Sequence, residues 1–132
     1  GKVLLLKVDE SMRTGSRFAR APDSITVQEA LLRITQARGG MIALFDDKSR
    51  ALSGVFSDGD FRRAALATPD ILSQRVARYM TPQPKTIRLG SLAVDALKQF
   101  EAAAIDDLVV VDEANHPVGL IDGQDMPRLR IV

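Results

Sequence analysis

The heptapeptide GVFSDGD at positions 54–60 has a counterpart in GLIDGQD at positions 119–125, 65 residues further along the chain. Both stretches begin with Gly, continue with two apolar residues and end in Asp. We call them the first and the second signature. Similarity of a chain to itself at a fixed spacing indicates two copies of one supersecondary unit.

Each signature follows the same succession of patterns, and the copies lie 66 residues apart. Apolar residues recur at the spacing of one helix face at Val27, Ala30, Leu31 and Ile34, and again at Ala93, Ala96, Leu97 and Phe100. Thr26 and Glu29 form a pattern typical of a capping box. Apolar runs at 41–45 and 108–111 predict buried strands, and polar turns separate them from second strands at 52–57 and 118–122. A helix after Asp60 and a shorter one from Asp125 are expected to close the units.

These patterns predict an α+β fold of tandem repeats, each with a small sheet of two to three strands and flanking helices. One such unit cannot bury its apolar face alone, so we expect the two to pack about a pseudo-twofold axis. The predicted boundaries are 9–68 for the first repeat and 69–132 for the second. Residues 1–8 are interpreted as a linker from an upstream domain that is absent from this chain.

Composition excludes several classes of function. The 132 residues include no cysteine, which rules out disulfides and cysteine-based zinc sites. A formal net charge of +1 gives no indication of nucleic acid as a partner, and no apolar run is long enough to span a membrane. We therefore expect a cytoplasmic protein. His116 is the only histidine, and no paired carboxylates are credible as an acid/base pair, so no catalytic residue and no metal ligand is predicted.

The order of elements, ending in Gly-apolar-apolar-Thr/Ser-x-x-Asp, resembles the cystathionine-β-synthase (CBS) domain over roughly residues 9–129. A narrower resemblance is carried by MRTG at 12–15, FSDGDFRR at 56–63, YMTPQPKTI at 79–87 and QDMPRL at 124–129. These strings are similar to the CBS tail of the KpsF/GutQ family of D-arabinose-5-phosphate isomerases. That resemblance implies an upstream sugar-isomerase (SIS) domain and a role in making 3-deoxy-D-manno-octulosonate (Kdo) for lipopolysaccharide or capsule.

The CBS resemblance also implies a ligand site between the repeats. In that family the carboxylate that ends each signature accepts hydrogen bonds from ribose hydroxyls, and the Thr or Ser three residues earlier donates to phosphate or ribose. In the first site these residues are Ser57 and Asp60. The expected walls are Thr14, Ser16 and Phe18 from the segment before the unit, and Ile42 and Ala43 from its first strand. The remaining candidate ligand-binding residues are Thr81, Lys85, Val109, Asp122 and Asp125.

The second signature departs from the family pattern, because Asp122 stands where Thr or Ser is expected. An ionised carboxylate cannot donate a hydrogen bond, and it repels phosphate. Lys85, Arg88 and Arg128 would offset that repulsion if they point into the site. We therefore expect the first site to bind a phosphorylated nucleotide, and the second to be empty, specific for ribose alone or specific for something else.

Several alternatives stay open at this point. The ligand implied by the narrower resemblance is a cytidine nucleotide sugar (a CMP-sugar), with adenine nucleotides as the alternative, and no cofactor is required. Ser57 and Asp60 could simply cap a helix, and Arg62 and Arg63 could form a solvated helix face. The module could also serve oligomerisation, as a homodimer through its CBS pairs, with both pockets vestigial.

Overall fold

The computed structural model of the chain describes residues 6–125. In that range the helices are α1 (Val27–Gln36), α2 (Asp58–Ala67) and α3 (Ala93–Ala103), and the strands are β1 (Arg20–Pro22), β2 (Met41–Phe45), β3 (Leu52–Ser57), β4 (Thr81–Pro82), β5 (Thr86–Arg88), β6 (Asp107–Val111) and β7 (Pro117–Asp122). Short 3-10 turns lie at 8–10, 15–17, 71–73 and 76–78. The helix predicted from Asp125 onward falls mostly outside the described residues. No helix in the described range is long and apolar enough to cross a membrane.

The strands form two sheets of the same design. In the first sheet β1 pairs parallel to β2 and β2 pairs antiparallel to β3, while in the second β5 pairs parallel to β6 and β6 pairs antiparallel to β7. The predicted α+β fold of tandem repeats is confirmed. The first sheet has a fourth strand, β4, which pairs antiparallel to β3 at Gly54 and Val55.

The helices form for the reasons that the sequence indicates. The Thr26 hydroxyl accepts a hydrogen bond from the backbone N–H of Glu29 at 3.2 Å, which satisfies one of the free donors at the start of α1. Val27, Ala30 and Ile34 bury the predicted face of α1 against β2. After α1 and after α3 a residue other than Gly takes a left-handed conformation, Arg38 and Ala104 respectively.

The segments that precede the two units cross over. We call residues 6–14 the first lead-in and residues 71–85 the second lead-in. The first lead-in packs on the second unit, where Val8 is fully buried and its N–H donates to the Ser91 carbonyl at 2.9 Å. The second lead-in packs on the first unit, where the N–H of Val76 donates to the Ile25 carbonyl at 2.9 Å. Each unit is therefore completed by the lead-in of the other.

Two methionines mark the places where each lead-in presses against a sheet. The predicted role of Met12 and Met80 as core residues agrees with their packing against the second and the first core cluster. A Cβ atom at Gly54 would lie 2.6 Å from the Met80 sulfur, and one at Gly119 would lie 2.7 Å from the Met12 sulfur. Glycine is needed at both positions because any side chain would push the lead-in off the sheet.

A third buried cluster joins the two sheets. Its members come from both units and leave the sheets face to face across the pseudo-twofold axis: Phe18, Ala43, Val55, Val109, Val111 and Leu120. Burial between sheets removes apolar area from water at about 25 cal/mol per Å², so this cluster stabilises the pairing of the repeats.

Substitution of Gly54 by Ala should lower the free energy of unfolding by about 1–3 kcal/mol, because the added methyl also meets the Thr81 carbonyl oxygen at 2.8 Å. Gly39→Ala is the matched control, since no atom lies within 4 Å of a Cβ at that position. Urea unfolding followed by circular dichroism measures both. Equal stability of the two variants would show that the lead-in does not press on β3.

Candidate functional site

The first signature ends in a reciprocal cap at the start of α2. The Ser57 hydroxyl accepts from the backbone N–H of Asp60 at 3.2 Å, and an Asp60 carboxylate oxygen accepts from the backbone N–H and the hydroxyl of Ser57 at 2.9 and 3.0 Å. The other Asp60 oxygen accepts from Arg63 at 2.8 Å and from the Thr81 hydroxyl at 3.3 Å. The capping interpretation is therefore right, and it leaves the same carboxylate turned toward the second lead-in.

A cavity of about 430 Å³ opens beside this cap, and we call it the first cavity. Its lining combines apolar strand residues with polar groups from the signature and the second lead-in: Met41, Val55, Ser57, Asp60, Arg63, Thr81, Gln83, Pro84, Lys85, Ile105, Asp106, Asp107 and Val109. Arg63 and Lys85 bring cations to its edge. The volume and the mixture of apolar wall with a few polar groups are typical of a small-molecule site.

The second signature is arranged differently, because an arginine from the first lead-in binds its carboxylates. Arg13 donates to both oxygens of Asp125, with distances of 3.0 and 3.3 Å, and lies 3.4 Å from an Asp122 oxygen. Its side chain is only 15% exposed. The hydrogen bond to Asp125 and the nearby negative charges raise the pKa of Arg13, so the guanidinium is firmly charged.

A second cavity, of about 740 Å³, lies beside this ion pair. Its lining is Arg13, Arg38, Gly39, Gly40, Met41, Phe100, Ile105, Asp106, Asp107, Leu120, Asp122, Gly123 and Gln124. It occupies the place that corresponds to the first cavity when the repeats are exchanged. Met41, Ile105, Asp106 and Asp107 line both cavities. The two candidate sites therefore share a wall.

Asp107 is the most perturbed carboxyl in that wall. It lies directly opposite Asp122 in the pairing of β6 with β7. Desolvation by burial, followed by repulsion from Asp122 and Asp106, raises the pKa of Asp107 to about 6, and the charge of Arg13 opposes that rise.

The structure does not group the predicted walls with Ser57 as expected. Thr14 and Ser16 are exposed and line neither cavity, and they follow Arg13 in the lead-in that serves the second unit. Phe18 and Ala43 lie in the cluster between the sheets, and Ile42 is fully buried under α1. Their role as ligand walls stays a prediction; in the structure the lead-ins cross over, and alternate strand residues face opposite sides of a sheet.

The other predicted residues fall into two groups. Thr81, Lys85 and Val109 lie with Ser57 and Asp60 in the first cavity. Asp122 and Asp125 lie at the second, where the compensating cation is Arg13 rather than Lys85 or Arg88. Arg128 is outside the described residues. Arg13 was missed because a partner 112 residues away in sequence leaves no local signal.

His116 lines neither of the two cavities. His116 lies in the turn before β7, 3.3 Å from an Asp112 oxygen, and its other ring nitrogen lies 3.2 Å from the Ser49 carbonyl oxygen. Among residues 6–125, no group of three or more His, Cys, Asp or Glu side chains is arranged to hold a metal ion.

Comparison with known folds defines the class of protein. A family model for the CBS domain matches residues 76–128. The CBS domain pair of protein MJ0100, in complex with 5′-methylthioadenosine and S-adenosyl-L-methionine, superposes with a TM-score of 0.79 at 19% identity, over 95% of each chain. The CBS domain protein PAE2072 from Pyrobaculum aerophilum, complexed with AMP, has a TM-score of 0.78 at 21% identity, over 92% of this chain and 90% of that one. The chain therefore has the fold of a CBS domain pair.

Sequence similarity narrows the class. The whole chain is 35% identical to an arabinose 5-phosphate isomerase KdsD of Pseudomonas aeruginosa and 33% identical to that of Escherichia coli K12. The chain spans 40% of the length of these relatives and matches their C-terminal part. The predicted resemblance to the CBS tail of an isomerase family is thereby confirmed.

Asp107→Asn should raise the free energy of unfolding at pH 7 by about 1 kcal/mol, because it removes a carboxylate charge that burial and neighbouring charges oppose. The gain is kept small because the carboxyl is partly exposed to solvent. The pKa of Asp107 is higher in the folded chain than in the unfolded one. The stability that its protonated carboxyl contributes is therefore fully present below pH 3.8 and is lost as the pH rises through about 6. Urea unfolding at pH 4 and pH 7 should show a gain only at pH 7. Asp47→Asn, in an exposed turn, is the control. The same difference at both pH values would contradict the assignment.

Proposed function

We propose that this chain is a regulatory module that binds a nucleotide or nucleotide sugar in the first cavity. The observation that carries the proposal is the Asp60 carboxylate, held by Ser57 and Thr81 at the mouth of that cavity. An ionised carboxylate is an acceptor with two oxygens, so it suits the two hydroxyls of a ribose. The hydroxyls of Ser57 and Thr81 can rotate to donate to a ligand.

Two cationic side chains in the lining of the first cavity, beside the three carboxylates Asp60, Asp106 and Asp107, offer partners for a phosphate. Arg63 and Lys85 line the same cavity, and both are exposed. Arg63 now pairs with Asp60 at 2.8 Å. A guanidinium binds phosphate oxygens by two parallel hydrogen bonds, so Arg63 can exchange its carboxylate partner for a phosphate.

The similarity to arabinose 5-phosphate isomerases supports the nature of the parent protein. We propose that the module regulates a sugar-phosphate isomerase with an upstream SIS domain, in the synthesis of Kdo for lipopolysaccharide or capsule. The ligand would then be a CMP-sugar, a late product acting on an early step. Adenine nucleotides are the alternative, supported by the adenosine ligands named for two structures of the same fold. A cytoplasmic location remains part of this proposal.

The route from ligand to enzyme would be the first lead-in. This segment lies at the N-terminal side of the described chain and is bound to the second unit through Val8 and Arg13. A ligand shifts a partner only as far as it binds two states with different affinity. A change in the angle between the repeats would move the lead-in and so bias an upstream domain.

Isothermal titration with CMP-sugar, CMP and AMP tests the first cavity. Asp60→Ala should weaken the ligand that binds by at least tenfold, because both ribose hydroxyls lose their acceptor. Asp58→Ala is the matched control, since it removes the same charge from the same helical turn at an exposed position outside the cavity lining. Equal loss in both variants, or no binding of any of the three ligands by the wild type, would overturn the proposal.

A second candidate function is assembly. α2 has no fully buried residue in the described chain, and Leu66 near its end is 91% exposed. A homodimer of CBS pairs that covers this helix would explain the exposed leucine.

Sedimentation equilibrium tests this second candidate. Leu66→Ser should raise the dissociation constant of a dimer by about tenfold, in line with burial of one leucine side chain. Leu32→Ser, on the exposed side of α1, is the control. A monomeric wild type at all concentrations would exclude assembly through α2.

A further inference from the structure

The two cavities carry different side chains at two corresponding positions, and the two differences go together. In the first cavity the signature supplies Ser57 and the lead-in supplies Thr81, both hydroxyls. At the corresponding places of the second cavity stand Asp122 and Arg13, which lie 3.4 Å apart. The backbone at the two places is alike, since Thr81 pairs with Val55 and Arg13 pairs with Leu120.

The exchange changes what the terminal carboxylate can do. Asp60 accepts from the hydroxyls of Ser57 and Thr81 and from Arg63, whose side chain is 73% exposed. Asp125 has both oxygens occupied by the partly buried guanidinium of Arg13. A ribose diol at Asp125 would have to displace a bidentate ion pair, which is one of the stronger polar interactions in proteins.

The exchange also removes attraction for phosphate. The residues that line only the first cavity carry two cations, Arg63 and Lys85, against one carboxylate, Asp60. The residues that line only the second cavity likewise carry two cations, Arg13 and Arg38, against one carboxylate, Asp122, but Arg13 is also paired with Asp125 beside the cavity, which adds a second carboxylate. Asp122 also stands where a phosphate would need a donor, and an ionised carboxylate only accepts.

We propose that Arg13 and Asp122 together set the specificity of the second cavity and exclude phosphorylated nucleotides from it. This inference rests on the proposed function, because it assumes that the first cavity is of the nucleotide-binding kind. Neither residue acts alone. Removal of Arg13 leaves two adjacent carboxylates that repel phosphate, and removal of Asp122 leaves the guanidinium on Asp125.

Titration of the wild type and of three variants with AMP and with CMP tests the inference. The wild type should bind one equivalent per chain, as should Arg13→Thr and Asp122→Ser alone. The double variant Arg13→Thr/Asp122→Ser should bind two. Serine at 122 preserves a helix-start cap, since Asp122 now accepts from the Gln124 N–H at 2.7 Å.

The reciprocal exchange supplies a second test, at the first cavity. Ser57→Asp keeps a favoured capping residue, and Thr81→Arg changes an exposed position. This double variant should weaken binding at the first cavity by tenfold or more. Thr35→Arg with Ser73→Asp adds the same charges at exposed positions outside both cavities and should bind as the wild type does.

The outcomes separate the two proposals. In one outcome the wild type binds no nucleotide and the Arg13→Thr/Asp122→Ser variant binds one equivalent per chain. That result would end the proposed function of the first cavity and support this inference. A wild type that binds two, or a double variant that binds no more than the wild type, would overturn the inference. If that double variant does not fold, undiminished binding by Ser57→Asp/Thr81→Arg would overturn it.

Discussion

Two backbone hydrogen bonds between Arg13 and Leu120, of 2.8 and 3.1 Å, hold the first lead-in on the second sheet. The pairing of Thr81 with Val55 does the same for the second lead-in on the first sheet. Each pairing requires a glycine beside it, because a methionine of the lead-in lies where a side chain would stand. The crossing of the lead-ins thus decides which residues meet which signature, and the chemistry of both cavities follows from it.

The crossing also makes the two cavities parts of one system. Asp106 and Asp107 lie in the wall between them, and Asp107 has a pKa raised to about 6 by burial and by its neighbours Asp122 and Asp106. A negative ligand in either cavity adds repulsion to this wall, so it favours the protonated form of Asp107. The positive charge of Arg13, which belongs to the first lead-in, offsets the negative charge of this wall.

The sequence was sufficient to predict the fold because two periodicities and two signatures recur at nearly constant offsets. It also predicted Ser57 and Asp60 as ligand-binding residues, since their spacing recurs in a known family, and that role stays a prediction. It did not reveal the partner of each signature, because pairing between Arg13 and Asp125 depends on tertiary contacts across 112 residues. One signal was available in the spacings. The pairs Met12-Arg13 and Met80-Thr81 lie 68 residues apart, whereas the helices lie 66 apart, so the lead-ins and the units that follow them repeat at different offsets.

We propose that the repeats share a scaffold but differ in chemistry, so that the first cavity binds a nucleotide and the second excludes it. A crystal structure of the chain grown with saturating AMP, and a second with CMP, tests this most directly. We expect electron density for a single nucleotide, with its ribose on Asp60 and its phosphate near Arg63 and Lys85. The ion pair between Arg13 and Asp125 should be intact. A nucleotide with its ribose on Asp125 and with Arg13 displaced would contradict it.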